Sequence, residues 1–359
     1  MQARLGTFED LPAVNALKEN WYGPGTGHAP EYFRWAFFDR VPEPSKLICL
    51  EDAGRLVGTQ AIFPVFCRQG DRRFLTFKSE ETLVDREYRG KGLFKKMYHE
   101  IFRETDEGAD FIWGVTPAKE PFNRLGFASP TTSIYTFLFT GSPTKEFPLG
   151  GTATSRKQAL KRRGFTEAGR FLRLKTAWKL RGHETDRWVS EQMDLEYYAS
   201  VWDSMCRQYS EMVSVDRNPA WLQWRLEKNP ARSYRMLQYH AGIDRGAILF
   251  ATDETERIVY LVDFVGSGQL TRVMQALVAE LAHTAQREGY AMIIENGLDV
   301  DLHAHKVLRA EMLRYGAMSV PIRGGWFVLR PSPRLRPDDP RLLANRWFYT
   351  YLMSDGSRV

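Results

Sequence analysis

Along the first 140 residues, apolar positions alternate, shift to helical spacing, and alternate again in a fixed order. ARLGTF reads as a short strand, and EDLPAVNALKENW as a helix with acids near its start, where the helix dipole favours them. KLICLEDAGRLVGTQAIFPVF gives two apolar strands that turn at Asp52, Ala53 and Gly54, and FLTFKSEETLVD a further strand. After a glycine-rich turn, Leu93, Phe94, Met97, Tyr98, Ile101 and Phe102 recur every three or four residues and mark one apolar helical face. Gly108 ends that helix. DFIWGV is a buried strand, PFNRLGF a short helix closed by Gly126, and SIYTFLFT a last strand. The pattern predicts an α/β unit built on a mixed sheet.

The second half repeats the first. PEYFRWAFFDRVPEPSKLICLEDAGRLVGTQAIF aligns with PAWLQWRLEKNPARSYRMLQYHAGIDRGAILF, so that Pro30 and Trp35 recur as Pro219 and Trp224, and Gly54 and Gly58 as Gly242 and Gly246. TLVD recurs as YLVD, with Asp85 answering Asp263, and Gly126 recurs as Gly316. Val273, Met274, Leu277, Val278 and Leu281 restate the apolar helical face. So many matches in one order indicate a tandem duplication. The expected division is a first domain over 1–140, a basic linker over 141–186, a second domain over 187–332, and a tail over 333–359. The tail's dense aromatics predict docking onto the body.

Composition narrows the class. The chain has 359 residues, 43% hydrophobic and 26% charged, which is ample for two buried cores. A net charge of +6 favours anionic ligands without making a nucleic-acid-binding signature. Cys49, Cys67 and Cys206 are too few and too scattered for a disulfide scaffold or a thiolate zinc site, and fit a reducing cytoplasm. No leader peptide and no run able to cross a bilayer is read, so no membrane partner is expected. Between Arg156 and Arg181 ten basic residues face one acid, Glu167. This stretch reads as a solvated linker with a short amphipathic helix, or as an anion-binding rim. Asp299, Asp301, His303 and His305 alternate as metal ligands would on a strand, but their place suggests the polar start of a helix, and no metal is assigned. His28 reads as a loop histidine.

The stretch REYRGKGLFKKM, residues 86–97, joins strand to helix through Gly90 and Gly92, with Arg89 and Lys91 beside them. Glycines allow close approach of a ligand, and the first helical amides lack intrahelical acceptors, so the turn suits a pyrophosphate. It is not a P-loop, because Lys91 lies between the glycines, nor a dinucleotide fingerprint, because residue 95 is Lys. The alternative is a flexible turn with lysines in water.

EDLP after a first strand, GRLVG in a hairpin, YRGKGLF between strand and helix, and NRLGF after a later strand resemble, in that order, the GNAT acyltransferase superfamily. RGKGLF is similar to members with two tandem GNAT domains. The resemblance implies an α/β fold of two tandem GNAT-like domains, each a mixed, mostly antiparallel sheet flanked by helices. It implies that amides of Arg89, Gly90, Lys91, Gly92, Leu93 and Phe94 hold the pyrophosphate of acetyl-CoA or another acyl-CoA. The preceding strand, including Leu83 and Val84, would hold the acyl carbonyl, and Asn123 would be polar pocket lining or a surface residue. The family's signature Arg/Gln-x-x-Gly-x-Gly/Ala is met at Arg89 and Gly92 but ends in Phe94, and the usual tyrosine acid is replaced by Phe122. Tyr135, Tyr349 and Tyr351 are possible replacements. In the second copy FVGSGQLTR keeps two glycines without the preceding Arg/Gln, and reads as degenerate.

Acyl transfer to an amine needs a proton acceptor, and Glu80 and Glu81 stand just before the turn. In strand geometry they point to opposite faces, and Glu81 is preferred because it shares parity with Leu83 and Asp85. The expected function is acyl-CoA-dependent N-acyl transfer, first of all N-acetyl transfer, to a small-molecule amine such as an amino sugar. Two alternatives stand beside it. One is a FemAB-like aminoacyl transferase using charged tRNA. The other is a catalytically dead acyl-CoA-binding regulatory protein.

Overall fold

The computed structural model describes residues 1–141, 156–181 and 186–353. Parts of the expected linker (142–155, 182–185) and of the tail (354–359) lie outside the described residues. In chain order the first half runs β1 (Gln2–Leu5), α1 (Leu11–Tyr22), α2 (Pro30–Phe33), β2 (Lys46–Asp52), β3 (Arg55–Gln69), β4 (Arg72–Val84), α3 (Leu93–Thr105), β5 (Phe111–Thr116), α4 (Lys119–Asn123) and β6 (Ala128–Phe139). The second half runs α5 (Arg156–Leu180), β7 (Val189–Glu191), α6 (Leu195–Gln208), β8 (Val213–Val215), α7 (Pro219–Leu222), β9 (Arg235–Ala241), β10 (Asp244–Asp253), β11 (Ile258–Ser267), α8 (Leu270–Arg287), β12 (Met292–Leu298), α9 (His303–Arg314) and β13 (Met318–Pro331).

The chain is α/β, and the elements from α2 to β6 recur in order from α7 to β13. Even an irregularity repeats: α2 runs into a π-helical turn at Arg34–Phe38, and α7 into one at Gln223–Glu227. The two turns meet through the repeat-related tryptophans. Trp35 and Trp224 stack at 4.8 Å, and each indole N–H donates to the other's backbone carbonyl, at 2.9 and 3.2 Å. A two-fold-like exchange of bonds is what a duplicated segment meeting its own copy would make.

Two compact units emerge. The first holds Met1–Ser133, Tyr209–Ser233 and Arg323–Trp347, and the second holds Ile134–Gln208, Tyr234–Ile322 and the residues from Phe348. They interleave along the chain, where the sequence reading set consecutive domains at 140, 186 and 332. The first unit's strands run β1-β2-β3-β4-β5-β13, and the second's β6-β12-β11-β10-β9-β7. Among the registered pairs of each sheet one is parallel, β4 with β5 and β11 with β12, and the others are antiparallel. The final strand of each repeat is thus divided: β6 belongs to the second unit from Ile134 on, and β13 to the first from Arg323 on. Trp326–Pro331 of β13 pair with Phe111–Thr116 of β5.

The apolar face read from the sequence forms the core of the first unit. Leu93, Met97, Tyr98 and Ile101 of α3 pack on Ile48, Leu50, Val57, Ile62, Phe77 and Ile112. Side chains buried to this degree contribute about 1.5–3 kcal/mol each, so α3, and with it the turn before it, is firmly seated. The aromatics after β13 are buried: Trp347 against Phe111, Trp113 and Phe327 in the first unit, Phe348 against Trp202 and Phe264 in the second. No described helix is long and apolar enough to cross a membrane.

Candidate functional site

The glycine-rich turn sits between β4 and α3. Asp85 caps a short 3-10 turn at Arg86–Tyr88 by accepting from the amide of Glu87, and the chain then passes through Gly90 and Gly92, with φ of 76° and 77°. Gly92 is the N-cap of α3, so the helix starts with no capping side chain. The amides of Leu93, Phe94 and Lys95 therefore have no intrahelical acceptor. A Cβ at Gly90 or Gly92 would meet no atom within 4 Å, which leaves the turn open on its outer side. The guanidinium of Arg89 lies 4.1 Å over the ring of Trp21, and Lys91 Nζ 4.2 Å over Tyr88. Among the described residues neither cation is in an ion pair, so both charges remain for an anion.

Beside this turn the sheet parts. β4 and β5 register only at Phe77–Ile112 and Lys78–Trp113. Beyond Ser79, β4 runs on to Val84 paired with β3 alone. Among the described residues no second strand registers with Glu80–Val84, the stretch that includes Leu83 and Val84; its Glu80 carbonyl accepts from Gln60 Nε2 at 3.0 Å. The Val84 carbonyl also accepts from the Trp21 indole at 2.7 Å.

The same stretch carries a β-bulge. Thr59 pairs with Leu83 and Ala61 with Glu80, so Glu81 and Thr82 share the place opposite Gln60. Glu81 takes the strain, with a φ of 53° that few non-glycine residues adopt. Ser79 and Thr82 then both reach Gln60, which strict alternation forbids, and the expectation that Glu80 and Glu81 simply alternate across the sheet gives way. Glu80 pairs with Lys78. Glu81 meets Lys18 Nζ at 3.2 Å and His28 Nε2 at 3.5 Å, while Lys18 and His28 stand 3.0 Å apart. Burial pushes the Glu81 carboxyl up, but the hydrogen bond from His28 and the charge of Lys18 outweigh it and hold the group below the ordinary glutamate range. It is an ionised carboxylate at neutral pH.

The two departures from the expected pattern touch each other. Phe94 packs edge-on against Phe122 at 5.2 Å, and both lean on Tyr98. The Tyr98 hydroxyl is 2.5 Å from Ser79 Oγ, and burial drives its phenol well above the ordinary tyrosine value. A phenol held this way keeps its proton and fixes Ser79. It is unsuited to protonating a thiolate. Asn123 is exposed and engaged by Ser129 Oγ at 2.5 Å. Tyr135 and Tyr351 belong to the second unit, where their rings stack at 6.0 Å.

Residues 2–128 match the family model described as an acetyltransferase (GNAT) domain. The first repeat is a GNAT domain. Solved structures extend the likeness of fold to nearly the whole chain. A conserved protein of unknown function from Enterococcus faecalis, a probable N-acyltransferase, superposes with a TM-score of 0.60 at 10% identity, over 92% of this chain and 72% of its own. A GCN5-related N-acetyltransferase from Anabaena variabilis gives 0.58 at 12% identity, over 92% and 73%. The N-myristoyltransferase of Saccharomyces cerevisiae, solved with bound myristoyl-CoA, gives 0.56 at 12%, over 94% and 81%. No curated protein matches the chain.

The second GNAT-like repeat keeps the geometry of the turn but closes it. A Cβ at Gly268, where φ is 76°, would collide with the carboxylate of Asp244 and stand 2.9 Å from the Ile243 carbonyl. Asp244 Oδ1 accepts from the amide of Gln269 at 2.8 Å, and Gln208 Oε1 from that of Gly268 at 2.9 Å. A buried carboxylate thus occupies the place of an anion at the start of α8. The parting of β11 and β12 is also met by the chain itself. Past the last registered pair, Leu261–Glu295, the carboxylate of Asp263 accepts from Tyr198 Oη at 2.7 Å and Thr350 Oγ1 at 2.8 Å. His305, one of the four residues with metal-like spacing, is buried and accepts from the Tyr349 amide at 3.3 Å, and Asp301 pairs with Lys306. Among the described residues no group of three or more His, Cys, Asp or Glu is placed to hold a metal.

Lys18 was not singled out by the sequence reading, and His28 was read only as a loop histidine. For Lys18 a signal existed: with Leu11 and Val14 it sits on the buried stripe of α1, where a cation needs a partner. His28 comes to the site through its loop, stacked on Tyr32 and Phe33 at 5.4 and 5.9 Å, which no local pattern announces.

Proposed function

We propose that this protein is an acyl-CoA-dependent N-acyltransferase whose first repeat holds the cosubstrate. The observation that carries this reading is the open, uncapped turn at Gly90–Gly92, placed where β4 and β5 part. The pyrophosphate of the acyl-CoA lies against the amides from Arg89 to Phe94, assisted by Arg89 and Lys91. The thioester arm extends along the Glu80–Val84 stretch, which directs the acyl carbon toward Glu81. Asn123, exposed at the end of α4, is taken as polar lining for the cosubstrate.

Glu81 takes the proton that the acceptor ammonium must lose, directly or through water, and Lys18 and His28 hold its carboxylate in place. The amine nitrogen then forms its bond to the acyl carbon, the carbon–sulfur bond breaks, the thiolate of CoA leaves, and the second proton on nitrogen passes through water to that thiolate. A thiolate leaves without prior protonation, far more readily than an alkoxide, so no side-chain acid is needed where Phe122 stands. Glu80, held by Lys78, is a second carboxylate within the same stretch. We take the acyl group to be acetyl or another small acyl, and the acceptor a small-molecule amine, an amino sugar first, in the cytoplasm that three buried cysteines outside any disulfide fit.

Titration calorimetry with acetyl-CoA and with longer acyl-CoAs tests the cradle. Binding of at least one is expected, followed by CoA release when an amine panel is added. No binding at millimolar ligand would refute the enzyme reading. Binding without release for any amine would leave a sensor in its place.

A further inference from the structure

α5 turns two opposite faces to its surroundings. On one, Gly169 lies against the ring of Phe139, Thr176 donates its hydroxyl to the Tyr315 carbonyl at 2.8 Å, and Leu180 is buried. On the other, Phe171, Leu174 and Trp178 are 71%, 60% and 63% exposed. At about 100° per residue the three fall together, diametrically across the helix from Gly169, Thr176 and Leu180. The same wheel sets Arg170 and Arg181 along one border of this apolar stripe and Lys175 and Lys179 along the other. Lys179 Nζ lies 5.0 Å over the ring of Trp178. The one acid of the segment, Glu167, is a turn before Phe171 and is paired with Arg170 at 2.8 Å.

An apolar centre bordered on both sides by cations asks for a surface that is hydrocarbon inside and anionic at its rim. We propose that α5 docks this face onto an anionic lipid bilayer, with Phe171, Leu174 and Trp178 entering the headgroup–acyl boundary and the lysines and arginines meeting lipid phosphates. A second copy of the helix would bring its own cations against these, which disfavours self-association. A nucleic acid would place its phosphates over the apolar centre. The sequence reading offered a solvated linker or an anion-binding rim here, and no membrane partner; the exposed centre changes the kind of anion that fits.

The test is flotation of the full chain with vesicles, either phosphatidylcholine alone or equal parts phosphatidylcholine and phosphatidylglycerol. At about 0.1 M salt the protein is expected to float with the anionic vesicles only, and to release partly at about 0.5 M salt, where charges are screened. Replacing Phe171→Ala, Leu174→Ala and Trp178→Ala together should cut partitioning about tenfold or more. The pair Lys175→Glu and Lys179→Glu should do the same while keeping the apolar stripe. All five side chains are exposed, so both variants should fold, as an unchanged melting temperature would verify. No flotation with anionic vesicles, or flotation untouched by the triple change, overturns the proposal. So does a stripe that proves to be needed for dimerisation or for binding RNA while vesicles are ignored.

Discussion

The turn before α3 is open at Gly90 and Gly92, whereas the turn before α8 has its Gln269 and Gly268 amides bonded by Asp244 and Gln208 from the protein itself. Both turns join a strand to a helix, both carry two glycines, and both have a glycine with φ near 76°. What separates them is the partner of the helix start. A helix N-terminus attracts an anion whether or not the chain supplies one. Supplying one just ahead of the helix, as Asp244 does at the Gln269 amide, fills that place with a bond of the protein's own. The strand before each turn differs in the same sense. Glu81 stands on a strained bulge beside two cations, and with Asp85 set against Asp263 its counterpart is Val259, in a strand buried along its whole length. One repeat keeps a charged cluster at a cost in strain, and the other has packing in its place.

This contrast can be broken experimentally, and the largest effect is expected on catalysis. Glu81→Gln should lower kcat by about 10²- to 10⁴-fold with acyl-CoA affinity retained, because Val259 offers no second base. A rate within a fewfold of the parent would remove Glu81 from the mechanism. Next comes the cradle. Gly92→Glu puts a carboxylate at the helix start and a side chain at a left-handed φ, and should weaken acyl-CoA binding by about a hundredfold in calorimetry. Its mirror experiment is Gly268→Ala, which should leave acyl-CoA binding alone and cost stability, about 2–4 kcal/mol in denaturant unfolding, from the collision with Asp244. If Gly268→Ala lost binding instead, the second repeat would be the working one. Asp244→Ala should cost about 1–2 kcal/mol through the lost bond to the Gln269 amide.

The smallest effect is on acid stability. The Glu81 carboxyl is held below its ordinary value, so its contacts with Lys18 and His28 stabilise the fold fully above the unfolded value of 4.5. That contribution drains away as pH falls through the lower folded value. Glu81→Gln should flatten this acid limb in urea unfolding, and an unchanged slope would show that the three groups do not interact.

Much of this was legible because it is local. The spacing of Leu93, Met97 and Ile101 sets the buried face of α3, and glycines at 90 and 92 set the turn, so both could be read from neighbours in sequence. The parity argument that favoured Glu81 over Glu80 was not secure, because a bulge is decided by how β4 registers on β3, a contact between distant residues. The closure before α8 was hidden for the same reason: Asp244 and Gln208 lie well upstream of Gln269 and Gly268, whose amides they bind. The duplication itself was visible, but repetition does not say which copy's final strand completes which sheet.

That last point bears on how the molecule comes into being on a ribosome. β5 finds a neighbour on its outer edge only when Trp326–Pro331 have been made, so the first unit must wait for most of the chain before its sheet can close. Until then β5 is a bare edge, the kind of strand that recruits other chains. A fragment covering residues 1–140 alone should accumulate as aggregate, and supplying a peptide with the sequence of β13 during refolding should rescue part of it into a soluble form. For this duplicated protein the order of synthesis and the order of assembly run in different directions.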